Sequence, residues 1–135
     1  MATTAQIKLL STDLVDQGMS VDLITNLYQA AGTDDIVNFT GTNLVTLPSA
    51  GSPATLKIVD KTLFTNDKSA KVYIYNAEPT STPDDYLIVE LDSVVMGRLY
   101  PGDWCFFPYD GDQDVNVTPK ASTEVKIEHA VLGDL

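Results

Sequence analysis

Polar and apolar residues alternate along much of this chain, with the period of two that belongs to strands. In Lys71-Val72-Tyr73-Ile74-Tyr75, Val72 and Ile74 share one face, and Lys71, Tyr73 and Tyr75 share the other. Tyr86 to Leu91 repeats the pattern, with Leu87, Val89 and Leu91 on one side. Between them lies Glu78-Pro79-Thr80-Ser81-Thr82-Pro83-Asp84-Asp85, polar and rich in turn formers. The two strands are therefore expected to form a hairpin or to pass from one sheet to another. Val94 to Leu99 is apolar and precedes a turn signal at Pro101-Gly102-Asp103. Trp104 to Phe107 predicts a short aromatic strand that stops at Pro108. Asp110-Gly111-Asp112 predicts a turn, and Val115 and Val117 a strand that stops at Pro119. Thr123 to Leu132 closes the series, with Val125, Ile127, His129 and Val131 on one face and Glu124, Lys126 and Glu128 on the other.

The first half carries weaker signals. Gln6 to Leu10, Thr42 to Leu47 and Thr55 to Val59 read as strands. Ser20 to Ala31 supports two readings. As a helix it has a cap at Ser20, an apolar set at Leu23, Ile24, Leu27, Tyr28 and Ala31, and Gly32 at its end. As a strand it alternates at Met19, Val21, Leu23, Thr25 and Leu27. Short strands every 8 to 12 residues or so, with turns between them, predict an all-β chain folded as a sandwich or barrel.

Composition agrees. The chain has 135 residues, the size of one domain, and Thr and Val supply 28 of them. Eight Lys and Arg stand against 19 Asp and Glu, a net charge of −11. This argues against a grip on a nucleic-acid backbone, which needs clustered cations, and against docking on an anionic membrane surface. Met1 to Gln6 has neither a basic region nor an apolar run behind it, so no signal peptide is expected. No apolar stretch approaches the roughly 18 residues of a membrane-spanning helix. A single cysteine, Cys105, allows no internal disulfide, and a single histidine, His129, rules out sites built from several histidines.

Few residues suggest chemistry. Asp110, Asp112 and Asp114 bunch carboxylates in one loop, as calcium sites do, but the glycine falls second and no glutamate closes the loop. A solvated turn is the expected reading. Cys105 lies among aromatic residues on no motif for thiol chemistry, so a buried structural cysteine is expected, with a catalytic Cys105–His129 pair as the alternative. His129, on the apolar face of its strand, is expected to be a satisfied, partly buried histidine, with a pH-sensing role as the alternative. Nucleophile-elbow, phosphate-loop and zinc-protease motifs are absent from the sequence. No catalytic residue, cofactor or metal site is expected, and the chain is not expected to be an enzyme. Trp104, Phe106, Phe107 and Tyr109 form an aromatic cluster that suits a core or a protein interface, with a sugar-binding platform as the alternative.

Three segments carry a resemblance. They are Lys71-Val72-Tyr73-Ile74-Tyr75-Asn76, then Leu91 through Gly97-Arg98-Leu99 and Gly102-Asp103-Trp104-Cys105-Phe106-Phe107-Pro108, and finally Glu124-Val125-Lys126-Ile127-Glu128. Together they resemble small virion structural proteins of tailed, cyanophage-like bacteriophages; Gln6 to Ser11 is similar more loosely. The resemblance spans about half of the chain and includes no catalytic motif. It implies a jelly-roll-like β-sandwich with an extended N-terminal segment, over a single domain of residues 1–135 in which residues 1–18 serve as an arm. It draws Ser20 to Ala31 toward strand. It further implies a capsid decoration or cement protein, made in the host cytoplasm and carried in the virion. Its partners would be the major capsid protein and further copies of itself, in a trimer, with no nucleic acid or membrane. A tail or head–tail component, or a carbohydrate- or receptor-binding module, is the alternative.

Overall fold

A computed structural model describes residues 3–11, 19–27, 43–47, 55–63, 70–81, 84–109, 112–120 and 125–133. Its strands are β1 (Thr3–Ser11), β2 (Met19–Leu27), β3 (Asn43–Leu47), β4 (Leu56–Val59) and β5 (Ala70–Asn76), followed by β6 (Leu87–Leu91), β7 (Val94–Leu99), β8 (Trp104–Tyr109), β9 (Val115–Pro119) and β10 (Val125–Gly133). A 3-10 turn occupies Lys61–Leu63.

Strands β3 to β10 make two four-stranded antiparallel sheets. One has the order β3-β10-β5-β8, the other β4-β9-β6-β7. Eight strands shared in this order between two facing sheets form a jelly roll. The predicted alternation supplies the two inner faces. Val72 and Ile74 on β5, Leu87 and Val89 on β6, Val115 and Val117 on β9, and Val125, Ile127 and Val131 on β10 are all buried in one cluster. Each such side chain, fully removed from water, contributes about 1.5–3 kcal/mol.

The Lys71–Tyr75 and Tyr86–Leu91 segments belong to different sheets, so the chain crosses the sandwich between them. Asn76 sits at that crossing, fully buried. Its backbone N–H donates to Asp103 O at 2.9 Å, and its carbonyl accepts from Gly102 N at 3.0 Å. Gly102 holds φ at +87°, a left-handed value that suits glycine, which lets the Pro101–Asp103 turn close on this point.

Two expected strand ends are corrected. β8 runs through Pro108 to Tyr109. Among the described residues it pairs only with β5, as an edge strand, so the missing proline N–H can face the other side at no cost to the ladder. β9 includes Pro119 as its last residue, opposite Leu87 and past the last β4 partner. The β6–β7 hairpin turns at Asp92, whose φ is +51°.

The ambiguous segment is a strand from Met19 to Leu27; residues 28–31 lie outside the described part. β2 pairs with β1 along all nine residues, from Thr3 opposite Leu27 to Ser11 opposite Met19. No third strand joins this hairpin among the described residues. The N-terminal extension is therefore a two-stranded arm beside the jelly roll.

Candidate functional site

The aromatic residues of β8 divide between two faces, because strand side chains alternate. Tyr109 points inward and is buried, and its hydroxyl donates to the Gln113 carbonyl. Phe107 and Cys105 pack against the core from the same side. Burial pushes the Cys105 thiol up to about 11, which suppresses the reactive thiolate at neutral pH.

Trp104 and Phe106 point outward. Tyr75 lies opposite Trp104, and Tyr73 lies opposite Phe106, on the neighbouring strand β5. Cross-strand partners on one face of an antiparallel pair stand about 5 Å apart. The four rings thus form a two-by-two aromatic tile on the outer face of this sheet. Trp104 remains 49% exposed. Tyr73 donates its hydroxyl proton to Glu128 Oε1 at 3.2 Å, across the face toward β10. Its pKa rises to about 12, first because burial disfavours the phenolate and then because the Glu128 carboxylate lies beside it.

The arm forms the opposite wall. Ala5, Gln6 and Ile7 of β1 face Tyr73, Trp104 and Phe106 across a mostly apolar hollow of about 340 Å³. Gln6 Nε2 donates to Asp22 Oδ1 at 3.3 Å within the arm. The sequence marked Trp104 and Phe106 but not Tyr73 and Tyr75 as their neighbours. That assignment needs the β5–β8 register, although both tyrosines already alternate with Val72 and Ile74 in the sequence.

The other candidates go elsewhere. Asp114 is engaged in a network of its own: it accepts from Lys57 Nζ and from Lys61 N, both at 2.9 Å. These two donors and the lysine charges hold its carboxyl below the usual range. Asp92 joins the network, accepting from Asp114 N at 2.8 Å. Asp110 lies outside the described residues. Among the described residues, no three His, Cys, Asp or Glu side chains come together as metal ligands. His129 lies opposite Ile74 on β10, half-buried, and burial holds its pKa below 6.5. The expectation of a satisfied histidine is corrected: among the described residues the buried Nδ1 has no hydrogen-bond partner, because the strand places it on the apolar inner face. Cys105 and His129 both lie opposite Ile74, on either side of β5, so that strand stands between them.

No family model matches the chain, and no curated protein matches it. Among solved structures, a sugar phosphate isomerase of the cupin superfamily from Silicibacter pomeroyi is similar at 17% identity, with a TM-score of 0.41. The match covers 75% of this chain and 53% of that protein, so this chain spans about half of its length. A likeness at that level carries no argument about activity.

Proposed function

We propose that this protein is a virion structural component, a decoration or cement protein that binds the outer surface of a phage head and works through interfaces. The observation that carries the reading is the apolar arm. Leu9 is 44% exposed, Val21 41% and Leu23 53%, neighbours on one face of a hairpin that no third described strand completes. An isolated two-stranded ribbon is marginal in water, and a contiguous apolar surface on it calls for a protein partner. A jelly roll is a frame used in viral shells, which agrees with the reading at the level of fold alone.

The partners under this reading are the major capsid protein and other copies of the chain, in a trimer. At a net charge of −11 free subunits stay soluble but repel one another, so contacts between them must rest on apolar surface. Docking on the shell adds a charge component if the shell presents a basic patch. Mass spectrometry of purified particles tests the reading first. Co-sedimentation with heads that lack the protein tests it second. A chain found on tails and never on heads would replace the decoration role with a tail role.

A second reading, a carbohydrate-recognition module, is favoured by one feature: the half-exposed Trp104 ring beside Tyr73 and Phe106. A glycan array separates the two readings.

A further inference from the structure

We propose that the β1–β2 arm of one copy seats its apolar face on the aromatic tile of a second copy of this chain. The inference rests on the reading of the protein as an assembling virion component, and it names the surfaces that assemble.

The arm has two unlike faces. The pairing register puts Ile7 opposite Leu23 and Leu9 opposite Val21, with Ala5 and Leu27 on the same side. The other side carries Thr4, Gln6, Lys8, Ser20, Asp22 and Asn26, with two exposed apolar residues, Leu10 and Ile24, set apart among them. Leu9, Val21 and Leu23 on the apolar side are each more than two-fifths exposed. The structure shows what this side fits. Within one chain, Ala5 and Ile7 already face Tyr73, Trp104 and Phe106, but a hollow of about 340 Å³ keeps the two surfaces apart. The matching surfaces are both present, and neither is fully covered.

Charge selects a second copy as the occupant. The 18 arm residues of β1 and β2 contain one cation, Lys8, and one anion, Asp22, which stand opposite each other. The full net charge of −11 therefore lies outside the arm. The arm is the part of an acidic chain that meets another copy without repulsion. The receiving face carries Lys71 on β5 and Lys126 and Glu128 on β10, so it too is close to neutral in a chain of net charge −11.

Length permits the exchange. Fifteen residues, 28–42, join Leu27 to Asn43. A connection of that size reaches up to about 50 Å when extended. Nine residues per strand over two strands give the arm face roughly 300 Å², and the tile's three positions on each of two strands give roughly 100 Å², so the arm must reach past the tile onto the rest of the outer face of β5 and β10 to approach a specific interface. A closed exchange, in which each copy gives one arm and receives another, doubles the buried area.

The experiment uses the full chain with Cys105→Ala as background. Ile7→Cys and Phe106→Cys are placed on separate chains, mixed and oxidised, so that a mixed disulfide can form only between copies. The expected result is a mixed dimer on a non-reducing gel, in excess of what either variant gives alone. Light scattering at micromolar concentration should show an oligomer for the parent chain. Leu23→Glu, at an exposed position, should return it to a monomer that still unfolds cooperatively, with a melting temperature lowered only by the loss of assembly. A monomeric parent chain, absence of the mixed disulfide, or a Leu23→Glu protein that stays oligomeric would each overturn the proposal. So would quenching of Trp104 fluorescence by oligosaccharides with an oligomer indifferent to Leu23→Glu, which assigns the tile to sugar. A chain that is monomeric in solution yet present in purified particles would sink the arm exchange and leave the virion reading standing. An arm-exchanged oligomer absent from particles would do the reverse.

Discussion

Asn76 on β5 donates through Nδ2 to the carbonyl of Leu99 on β7 at 2.9 Å, and so ties one sheet of the jelly roll to the other. The same Nδ2 donates to Asp85 O at 2.9 Å, and Asn76 Oδ1 accepts from Glu78 N at 3.1 Å. A fully buried amide with its donors and acceptor engaged fixes the crossing between the sheets without leaving an unpaired polar group.

Replacement of Asn76 therefore has a specific cost. Asn76→Leu removes three hydrogen bonds at the crossing, those to the Leu99 and Asp85 carbonyls and that from Glu78 N, and is expected to cost about 3 kcal/mol by urea denaturation. Asn76→Asp keeps the shape but replaces a double donor with an acceptor facing two carbonyls. Its destabilisation should ease as pH falls and the new carboxyl gains a proton. A variant as stable as the parent would deny the amide this role.

The two sides of the β5–β8 ladder should respond differently to truncation. Ile74→Ala removes a fully buried side chain and should cost about 2–5 kcal/mol. Trp104→Ala removes a half-exposed ring from the outer tile and should cost about 1–2 kcal/mol, below the figure for a buried ring. Urea midpoints of the two variants check the order. A larger loss at Trp104 than at Ile74 would mean that the tile is part of the folding core.

His129 makes stability depend on pH near neutrality. Burial lowers its pKa in the folded state, so the unfolded chain binds the proton more readily. The sign follows: stability is full above the ordinary pKa of 6.5 and is lost as pH falls through that value toward the lower folded one. Melting temperatures should drop as pH is taken from neutral to mildly acidic. His129→Gln should remove that component and leave only the loss at lower pH from Asp60 and Asp114, whose depressed pKa values place their titration below the usual 3.8. Identical pH profiles for the parent and His129→Gln would refute it.

The acidic loop is expected to ignore calcium. Asp114 is already committed to Lys57 and to the backbone of Lys61. Melting temperatures in chelator and in excess calcium should agree within about 2 °C, whereas a site saturated a hundredfold above its Kd would add about 2.7 kcal/mol and a shift of several degrees. Asp114→Asn should lower the melting temperature more than Lys57→Met, because Asp114 also anchors the Lys61 turn. The reverse order would assign the stabilisation to the lysine.

The local pattern of residues determined much of this protein. Alternation in Lys71–Tyr75 and in Val125–Val131 named the side chains that share a face, and proline- and glycine-rich segments marked most of the turns. An all-β sandwich follows from those features, because a period of two repeated over short segments can bury apolar side chains only in facing sheets. Tertiary structure decided what the period cannot express. Alternation says which residues point together, not which side meets the core, so only the packing of β8 showed that Phe107 and Tyr109 face inward and Trp104 and Phe106 outward, toward the arm. Pro108 fits within β8 because an edge strand has one unpaired side. Ser20 to Leu27 satisfied both helical and strand periods, and nine pairings with β1 settled it as strand. Asp114 looked like one member of a loop cluster until the fold brought Lys57, 57 residues away in sequence, to within 2.9 Å. These are long-range pairings, and a local pattern carries no information about them.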